Sequence, residues 1–363
     1  MGFSWFDLPR PIVGLSAMDG VTDAAMRQIT KQVGNPDFMV TEFTSADGLV
    51  YGVSKLLRDF YYTPEQRPLI AQIFGANPEK FYTASVICCY LGFDGIDINM
   101  GCPADSIAKK GGGASLILNP ALAKEIIQSV QKGVADWVNG IEVETLGLTS
   151  EFVSLLRARR SLFPLPDTRE SLPVSVKTRI GFDKPVTTEW VKHLLETHPA
   201  VITLHGRTLE QHYGGEANWE EIGKAAELVH SETSDTLLFG NGDLVTPEMI
   251  VQRVKDYGVD GVWIGRAAMS NPWIFSQYRS YIKTGTYEET STKERFEVAL
   301  EHCKLFEEYN KGVFSEDPYP FLNMRKHLGW YVKGFHSATE VRAKLFQTHS
   351  SSDVEAILSA ITM

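Results

Sequence analysis

One cysteine occupies a position that neither a strand nor a helix readily explains. Cys102 lies between Gly101 and Pro103, after the apolar run GIDINMG, which begins at Gly95 and is typical of a buried strand. The residue before a proline is restricted to extended geometry, so we expect the thiol to project from the strand end. An unperturbed thiol, with a pKa of about 8.5, is mostly protonated at neutral pH and is a candidate proton donor. The alternative role, a thiolate nucleophile, requires a partner base such as His205.

Several further side chains, all but one of them polar, lie at or just beyond the C-terminal end of a predicted strand. They are Met18, Gln72, Asn99, Lys177, Arg179, His205, Arg207, Asn241 and Arg266. Each alone is more readily explained as a solvated or capping residue. Together they mark the face where barrel enzymes assemble their active sites.

Two glycine-containing loops predict a phosphate site. GNGD at 240–243 and IGRAAM at 264–269 supply Asn241, Gly242, Gly265 and Arg266 after the last two predicted strands, where barrels often bind phosphate. Neither a nucleoside triphosphate loop nor a Rossmann fingerprint occurs in the sequence. For a flavin, Lys177 is a suitable cation beside the atoms that carry negative charge after reduction. Gln72 and Asn99 offer amide groups to a planar heterocycle.

Eight short β-rich runs must position these residues, and helical segments alternate with them. The predicted strands cover 12–18, 38–43, 69–75, 95–101, 173–179, 201–207, 237–243 and 261–266. Eight such units in about 265 residues predict a (β/α)8 barrel, whereas a doubly wound sheet more often has five to seven strands and a glycine-rich first turn. We therefore assign 1–284 to a TIM barrel, 285–291 to a linker and 292–363 to a C-terminal helical domain.

The helical domain carries the one dense basic segment that is interleaved with aromatic residues. Between 325 and 344 the basic residues outnumber the acidic ones by five to one, Glu340 being the single acid. The five are Arg325, Lys326, Lys333, Arg342 and Lys344. Such a segment predicts an RNA-contacting surface, and the alternative is an ordinary solvated helical face.

Composition sets the broad class. The chain has 363 residues, of which 43% are hydrophobic and 22% charged, as in ordinary globular proteins. A net charge of -10 argues against nucleic-acid binding by overall charge, although a local basic stripe is compatible with it. The four cysteines have no zinc spacing and indicate no disulfide framework. We expect a cytoplasmic protein without membrane or metal; the oligomeric state is not indicated.

Several motifs together resemble a known family. They are LSAMDGVTDAAMR, AQIFG, DINMGCPADSIAKKGGGASL, SVKTRIGFD, ITLHGRT, FGNGD, IGRAAMSNPW and RKHLGWYVKGF. The set resembles the tRNA-dihydrouridine synthases over nearly the whole chain, and the last motif is most like the bacterial B-type branch. The segment DINMGCP with its glycine cluster is specific, whereas GNGD and IGR alone would fit many flavin barrels.

The resemblance implies an FMN enzyme that uses NADPH to reduce specific uridines of tRNA to 5,6-dihydrouridine. Hydride would pass from reduced FMN to C6, and Cys102 would protonate C5. The FMN contacts implied by motif are Met18, Gln72, Lys177, His205, Asn241, Gly242, Asp243, Gly265 and Arg266. The implied RNA contacts are Asn99 and Arg179 at the target base, with Lys109, Arg325, Lys326 and Lys333 outside it.

The chain departs from the family pattern in a long insertion at about 138–171, roughly thirty residues more than a usual connection. Helix-to-strand loops lie opposite the active face, so we expect the insertion not to touch the target uridine. Arg157, Arg159 and Arg160 are candidates for an outlying RNA or protein contact. Three alternatives remain: a synthase acting on ribosomal RNA, an FMN barrel dehydrogenase of a free pyrimidine, and a non-catalytic RNA-binding protein on an enzyme-derived scaffold.

Overall fold

A closed barrel of parallel strands forms the body of the protein. The computed structural model describes residues 2–162, 169–212, 214–311 and 320–361. The strands are β1 (Ile12–Leu15), β2 (Met39–Val40), β3 (Thr44–Ser45), β4 (Leu69–Phe74), β5 (Gly95–Met100), β6 (Val174–Arg179), β7 (Val201–His205), β8 (Leu237–Asn241) and β9 (Gly261–Ile264). All pair in parallel, and β1 contacts both β2 and β9 while β2 contacts β4, which closes the sheet. The predicted (β/α)8 barrel is confirmed.

Of the second predicted strand, 38–43, only β2 forms, and a further short piece, β3, begins just after the predicted range; both pair with β4. Between them the Thr41 hydroxyl accepts the main-chain N–H of Gln72 at 3.1 Å. This side-chain bond stands in for a ladder bond, so the barrel has eight strand positions built from nine pieces.

Helices alternate with the strands and continue after them. They are α1 (Ala24–Val33), α2 (Ala46–Val50), α3 (Pro78–Tyr90), α4 (Asp105–Ala108), α5 (Pro120–Val138), α6 (Ser150–Arg160), α7 (Thr187–Leu195), α8 (Trp219–Glu232), α9 (Pro247–Tyr257), α10 (Arg266–Ser270), α11 (Ile274–Thr284), α12 (Thr292–Tyr309), α13 (Arg325–Tyr331), α14 (Ala338–Leu345) and α15 (Ser351–Ser359). The helices α3, α5 and α9 begin in the same way: Asn77, Asn119 and Thr246 accept main-chain N–H groups just before a proline at the first helical position.

An aromatic cluster fills the N-terminal end of the barrel. Trp5 packs edge-on against Phe38 and Phe239, with ring centroids 4.8 and 5.6 Å apart, and Trp263 lies beside Phe38. All four side chains are buried. The barrel is therefore packed at this end, and space for a ligand remains at the C-terminal end of the strands.

The helices α12 to α15 enclose a second apolar core, which includes Phe296, Cys303, Leu328 and Tyr331. This core also takes in residues of α1, so the helical part is packed against the barrel. Two lysines add polar links: Lys326 donates to the main-chain oxygen of Gly20, and the Lys333 ammonium lies 3.0 Å from Ser270 Oγ. The division at 285–291 stays a prediction.

The described part of the insertion, 138–162 and 169–171, packs against the side of the barrel. The Arg159 guanidinium lies 4.9 Å from the ring of Tyr61 and donates to the main-chain oxygen of Phe60. With 3% of its surface exposed, Arg159 is not available for an outlying contact, so that prediction was wrong. Arg160 donates to the main-chain oxygen of Tyr90, and the exposed Arg157 pairs with Glu144 at 2.6 Å. The rest of the insertion, 163–168, lies outside the described residues.

No helix in the described ranges combines the length and the apolar character needed to cross a membrane.

Candidate active site

A cavity of about 1090 Å³ opens at the C-terminal end of the strands. It brings the proposed reacting thiol, Cys102, together with the residues that the sequence assigns to the cofactor and the target base. Those residues are Met18, Gln72, Asn99, Lys177, Arg179, His205, Asn241, Gly242, Asp243, Gly265 and Arg266. None of the described insertion residues lines it. The volume is at the upper end of what small-molecule sites provide.

The Cys102 thiol is held in a form that can give a proton. The residue is 8% exposed, and burial together with the nearby Asp19 carboxylate raises the pKa of the thiol despite the opposing Arg179 and Lys177 charges. A raised pKa keeps the sulfur protonated at neutral pH. The arrangement therefore suits a proton donor better than a thiolate nucleophile.

The glycine cluster that follows Cys102 allows the chain to return against it. Gly113 has a φ of +58°, and a β-carbon there would lie 2.7 Å from the Cys102 carbonyl oxygen. The same oxygen accepts the Ala114 N–H at 3.2 Å. Only glycine combines this backbone geometry with this close approach.

Asn99 holds the beginning of the cysteine loop. Its side-chain oxygen accepts the main-chain N–H groups of Gly101 at 3.0 Å and Cys102 at 2.9 Å. Its amide nitrogen donates to Gln72 Oε1 at 2.9 Å, and Gln72 Nε2 donates to Asp97 Oδ2 at 2.7 Å. Asn99 was expected to hold the uracil, and both lone pairs of its oxygen are already used within the protein.

Arg179 also holds this loop. Its Nε donates to the main-chain oxygen of Gly101 at 2.7 Å, and its Nη1 donates to that of Thr208 at 2.9 Å. The guanidinium thus connects the cysteine loop with the loop after β7. Its expected place near the target base fits a position in the cavity wall.

Two polar groups in the cavity wall lack hydrogen-bond partners within the described part of the chain, although the Lys177 ammonium lies 5.9 Å from the centroid of the Trp263 ring. The Lys177 ammonium has no hydrogen bond there, and burial together with Arg179 lowers its pKa to about 8. The buried Nδ1 of His205 also lacks a partner. Burial and the charges of Lys177 and Arg179 lower the pKa of His205 well below its usual value, so the ring is neutral. A ligand with hydrogen-bonding atoms would satisfy both groups.

The end of the cavity formed by the residues that follow β7, β8 and β9 is basic, and its charged side chains are paired with one another. Arg207 donates to both oxygens of Asp243, at 2.9 and 2.7 Å, and Arg266 reaches the same carboxylate at 3.1 Å. Gly242 has a φ of +128°, and a β-carbon there would lie 2.7 Å from the Ala217 β-carbon. The carboxylate of Asp243, expected to contact the cofactor, is engaged by the two arginines and orients them.

The structure does not bring the outer basic residues into the cavity. Lys109 is exposed and pairs with Asp105 at 3.1 Å. Arg325 donates to the main-chain oxygen of Thr348 at 2.9 Å, while Lys326 and Lys333 make the links to the barrel described above. None of the four lines the cavity, although Asp105 and Ser270, the partners of Lys109 and Lys333, do.

Sequence reasoning missed Asp97 as a site residue, because it lies inside a buried strand and outside the cavity lining. The signal that marks it is an acidic residue in an otherwise apolar run. Arg207 was recognised as a strand-end residue without a role. In the ranges that the structure describes, no group of three or more histidine, cysteine, aspartate or glutamate side chains is arranged to hold a metal ion.

Comparisons with known proteins agree over nearly the whole chain. The family model described as dihydrouridine synthase (Dus) matches residues 14–142 and 167–362. The probable tRNA-dihydrouridine synthase 2 of Bacillus subtilis (strain 168) is 32% identical over 357 residues, which are 98% of this chain and 95% of that protein. The probable tRNA-dihydrouridine synthase of Staphylococcus aureus (strain COL) is 31% identical, with 98% and 94% covered. Among solved structures, DHODH from Eimeria tenella in complex with ferulenol aligns with a TM-score of 0.49 at 12% identity, covering 74% of this chain and 80% of that one.

Proposed function

We propose, from the premise that this chain belongs to the dihydrouridine synthase family, that it reduces uridines of tRNA to 5,6-dihydrouridine with FMN as cofactor and NADPH as reductant. One observation carries the proposal beyond family membership. A protonated, largely buried thiol shares one cavity with the Lys177 ammonium, with a His205 ring nitrogen that has no hydrogen-bond partner, and with a basic, glycine-containing end. This combination suits a bound flavin with a nearby proton donor.

The residues present fit FMN. Arg266 and the backbone of Gly242 and Gly265 form an end suited to the phosphate, where a side chain at Gly242 would collide with Ala217. Lys177 would offer its ammonium group to the ring system, and His205 would offer a ring nitrogen that has no hydrogen-bond partner. When bound, FMN supplies the hydride that is added to C6 of the uracil.

The chain's own residues perform the rest of the reaction. The Cys102 thiol gives its proton to C5, and the neighbouring positive charges of Lys177 and Arg179 stabilise the thiolate that remains. A proton from solvent must return to the sulfur before the next turnover. With NADPH as the reductant, each uridine would consume one NADPH and one proton.

The uridine must leave the stacked RNA to reach the cavity, which costs a few kcal/mol. The basic residues of the helical unit and rim are the proposed compensation, namely Lys109, Arg325, Lys326 and Lys333. Several are also used within the protein, and each retains further N–H donors for phosphate oxygens. The helices that carry this surface pack on the buried apolar core that includes Tyr331.

The test combines a spectrum with an RNA map. Purified protein is expected to carry a yellow chromophore that is released as FMN, and tRNA from cells lacking the gene is expected to lose dihydrouridine at defined positions. Cys102→Ala is expected to retain FMN and to form dihydrouridine about 10²- to 10⁴-fold more slowly, because general acid catalysis typically contributes that much.

Other outcomes select the alternatives. A preparation that no added FMN can colour would refute the cofactor assignment. Loss of dihydrouridine from ribosomal RNA alone would reassign the substrate, and equal reduction of free uridine would favour a small-molecule dehydrogenase. Full RNA function in the Cys102→Ala variant would support the non-catalytic alternative.

A further inference from the structure

A continuous line of hydrogen bonds connects the barrel interior with the cysteine loop. Ser175 Oγ donates to Asp97 Oδ1 at 2.8 Å, and Asp97 Oδ2 accepts from Gln72 Nε2 at 2.7 Å. Gln72 Oε1 accepts from Asn99 Nδ2 at 2.9 Å, and Asn99 Oδ1 accepts from Cys102 N at 2.9 Å. We call Asp97, Gln72 and Asn99 the amide relay. It spans three residues on β4 and β5, and all of them are buried.

The relay has a direction, because its first member can only accept. Asp97 is 0% exposed, and burial raises its pKa to about 6, which leaves the carboxyl mostly ionised at neutral pH. An ionised carboxylate has no proton to donate, so Gln72 must turn its NH2 group toward Asp97 and its oxygen toward Asn99. Asn99 must then turn its own NH2 group toward Gln72 and its oxygen toward the loop.

We propose that Asp97 is a positioning residue, which fixes through Gln72 the orientation of the Asn99 amide and thereby the main-chain loop that carries Cys102. The idea deepens the proposed function and rests on it for the role of the thiol. Asp97 itself does not line the cavity. Asp97 would affect the reaction only through the side-chain amides of Gln72 and Asn99, which connect it to the main chain of Cys102.

The same direction restricts how Asn99 meets a substrate. Its oxygen already accepts two N–H groups, from Gly101 and Cys102. One N–H of its amide nitrogen is left after the bond to Gln72. Asn99 therefore offers a donor only, and it selects a carbonyl oxygen of the pyrimidine rather than its ring N–H.

A pair of substitutions reverses the relay and tests its direction. In Asn99→Asp, the new carboxylate still accepts from the loop but has no donor for Gln72. The Gln72 amide then lies between two carboxylates, at positions 97 and 99. Its NH2 group can donate to one of them, and its oxygen faces the other without a donor. We expect this single variant to loosen the loop.

Adding Asp97→Asn restores a consistent set of bonds. Gln72 turns its NH2 group to the new carboxylate at position 99 and its oxygen to the new amide nitrogen at position 97, where the amide oxygen still accepts from Ser175 Oγ. The variant Asp97→Asn alone removes the acceptor-only group, and its amide can present either its oxygen or its NH2 group to Gln72, so we expect alkylation faster than in wild type but slower than in Asn99→Asp. Ser175→Ala is the matched control, because it removes the other partner of Asp97 and leaves the relay intact.

The measurement is the alkylation of Cys102 by iodoacetamide in the folded holoenzyme, followed by mass spectrometry over a pH range. The pH series separates the rate per thiolate from changes in thiol pKa, and both key variants carry the same added negative charge at position 99. We expect the rate per thiolate to rise about tenfold in Asn99→Asp, as loss of one buried hydrogen bond would produce, and to return within about twofold of wild type in the double variant. Dihydrouridine formation is expected to stay slow in both variants, because a carboxylate at position 99 has no N–H for the pyrimidine carbonyl; the rescue is therefore read from alkylation and not from turnover.

Two results would overturn the proposal: an unchanged rate in Asn99→Asp, or a double variant that stays as reactive as the single one. If Asn99→Asp does not accumulate as folded protein, recovery of folded protein in the double variant supports the relay, and failure of both counts against it. Alkylation needs neither RNA nor turnover. A protein that forms no dihydrouridine but shows the rescue would therefore refute the proposed function alone.

Discussion

The carbonyl oxygen of Cys102 lies 2.7 Å from the point where a β-carbon on Gly113 would stand. The glycine cluster and the cysteine are thus one structural unit, in which the returning chain packs against the main chain of Cys102. This contact leads to the first prediction.

Gly113→Ala is expected to displace the cysteine loop and lower the rate of dihydrouridine formation about a hundredfold, since small misplacements of reacting groups have effects of that size. Gly111→Ala is the matched control. Gly111 also has a positive φ, of +80°, but the nearest atom to its added β-carbon is 3.9 Å away. Both variants carry similar backbone strain, so equal rates in single-turnover assays would contradict the role of the close approach.

FMN binding is expected to weaken as the pH rises through about 8. Burial and Arg179 lower the pKa of Lys177 to about 8 in the ligand-free cavity, and hydrogen bonding to the ring system would raise that pKa. As the pH rises, Lys177 therefore loses its positive charge in the free protein before it does so in the FMN complex, and the affinity for FMN falls over that range. Quenching of FMN fluorescence measures the Kd at each pH. Lys177→Met should bind more weakly and with a flat profile through this range; a parallel decline in the variant would assign the effect to another group.

Arg207→Met is expected to destabilise the protein by roughly 3 kcal/mol and to weaken FMN binding, because it leaves a partly buried carboxylate without its main partner. Arg207 also donates to the main-chain oxygens of Gly214 and Gly215, at 3.1 and 2.6 Å. Asp243 would then hold Arg266 more tightly and compete with the phosphate. Urea denaturation and FMN titration check both effects.

The control for that variant is Arg157→Met, which removes an exposed ion pair with Glu144. Exposed pairs contribute at most about 1 kcal/mol, so the control should change stability little and FMN affinity not at all. Equal FMN affinities in the two variants would show that Arg207 does not organise the phosphate end.

Acid is expected to destabilise the helical unit through a buried histidine pair. The rings of His302 and His327 lie 4.8 Å apart, and burial lowers the pKa of His302 to about 3 and that of His327 well below its usual value. Below about pH 6.5 the unfolded chain takes up protons that the folded chain excludes, so each histidine reduces the free energy of unfolding by about 1.4 kcal/mol per pH unit.

Urea denaturation between pH 7 and 5 measures this loss, and His302→Gln should make it shallower by the share of one histidine. Asp59, whose pKa burial raises to about 7, acts in the opposite direction, because its protonation favours the folded state at low pH. That contribution is the same in both proteins and cancels in the comparison. Identical pH slopes for the two proteins would exclude the histidine pair as the cause.

Much of the barrel and its rim could be predicted because the signals are local. Strand ends follow from β-rich runs, and the parallel order places all of those ends on one face, which is why Cys102, Lys177 and Asn241 meet in one cavity. None of these inferences requires knowing which distant residues touch.

The parts that escaped prediction depend on partners far along the chain. Ser175 meets Asp97 across 78 residues, and Arg207 meets Asp243 across 36. Arg159 resembled a surface charge within a basic run, yet its pocket is made by Phe60, Tyr61 and Tyr62, about a hundred residues earlier. A basic residue can be buried when aromatic faces and carbonyl oxygens receive it, and the linear pattern carries no record of that.

The links from Lys326 to Gly20 and from Lys333 to Ser270 tie the helical unit to two loops at the barrel mouth. Under the proposed function, these links would fix the distance between the RNA backbone contacts of the helical unit and the cavity that receives the base. The enzyme would then select a nucleotide by its distance along the folded RNA, and a uridine at another distance would not reach the cavity.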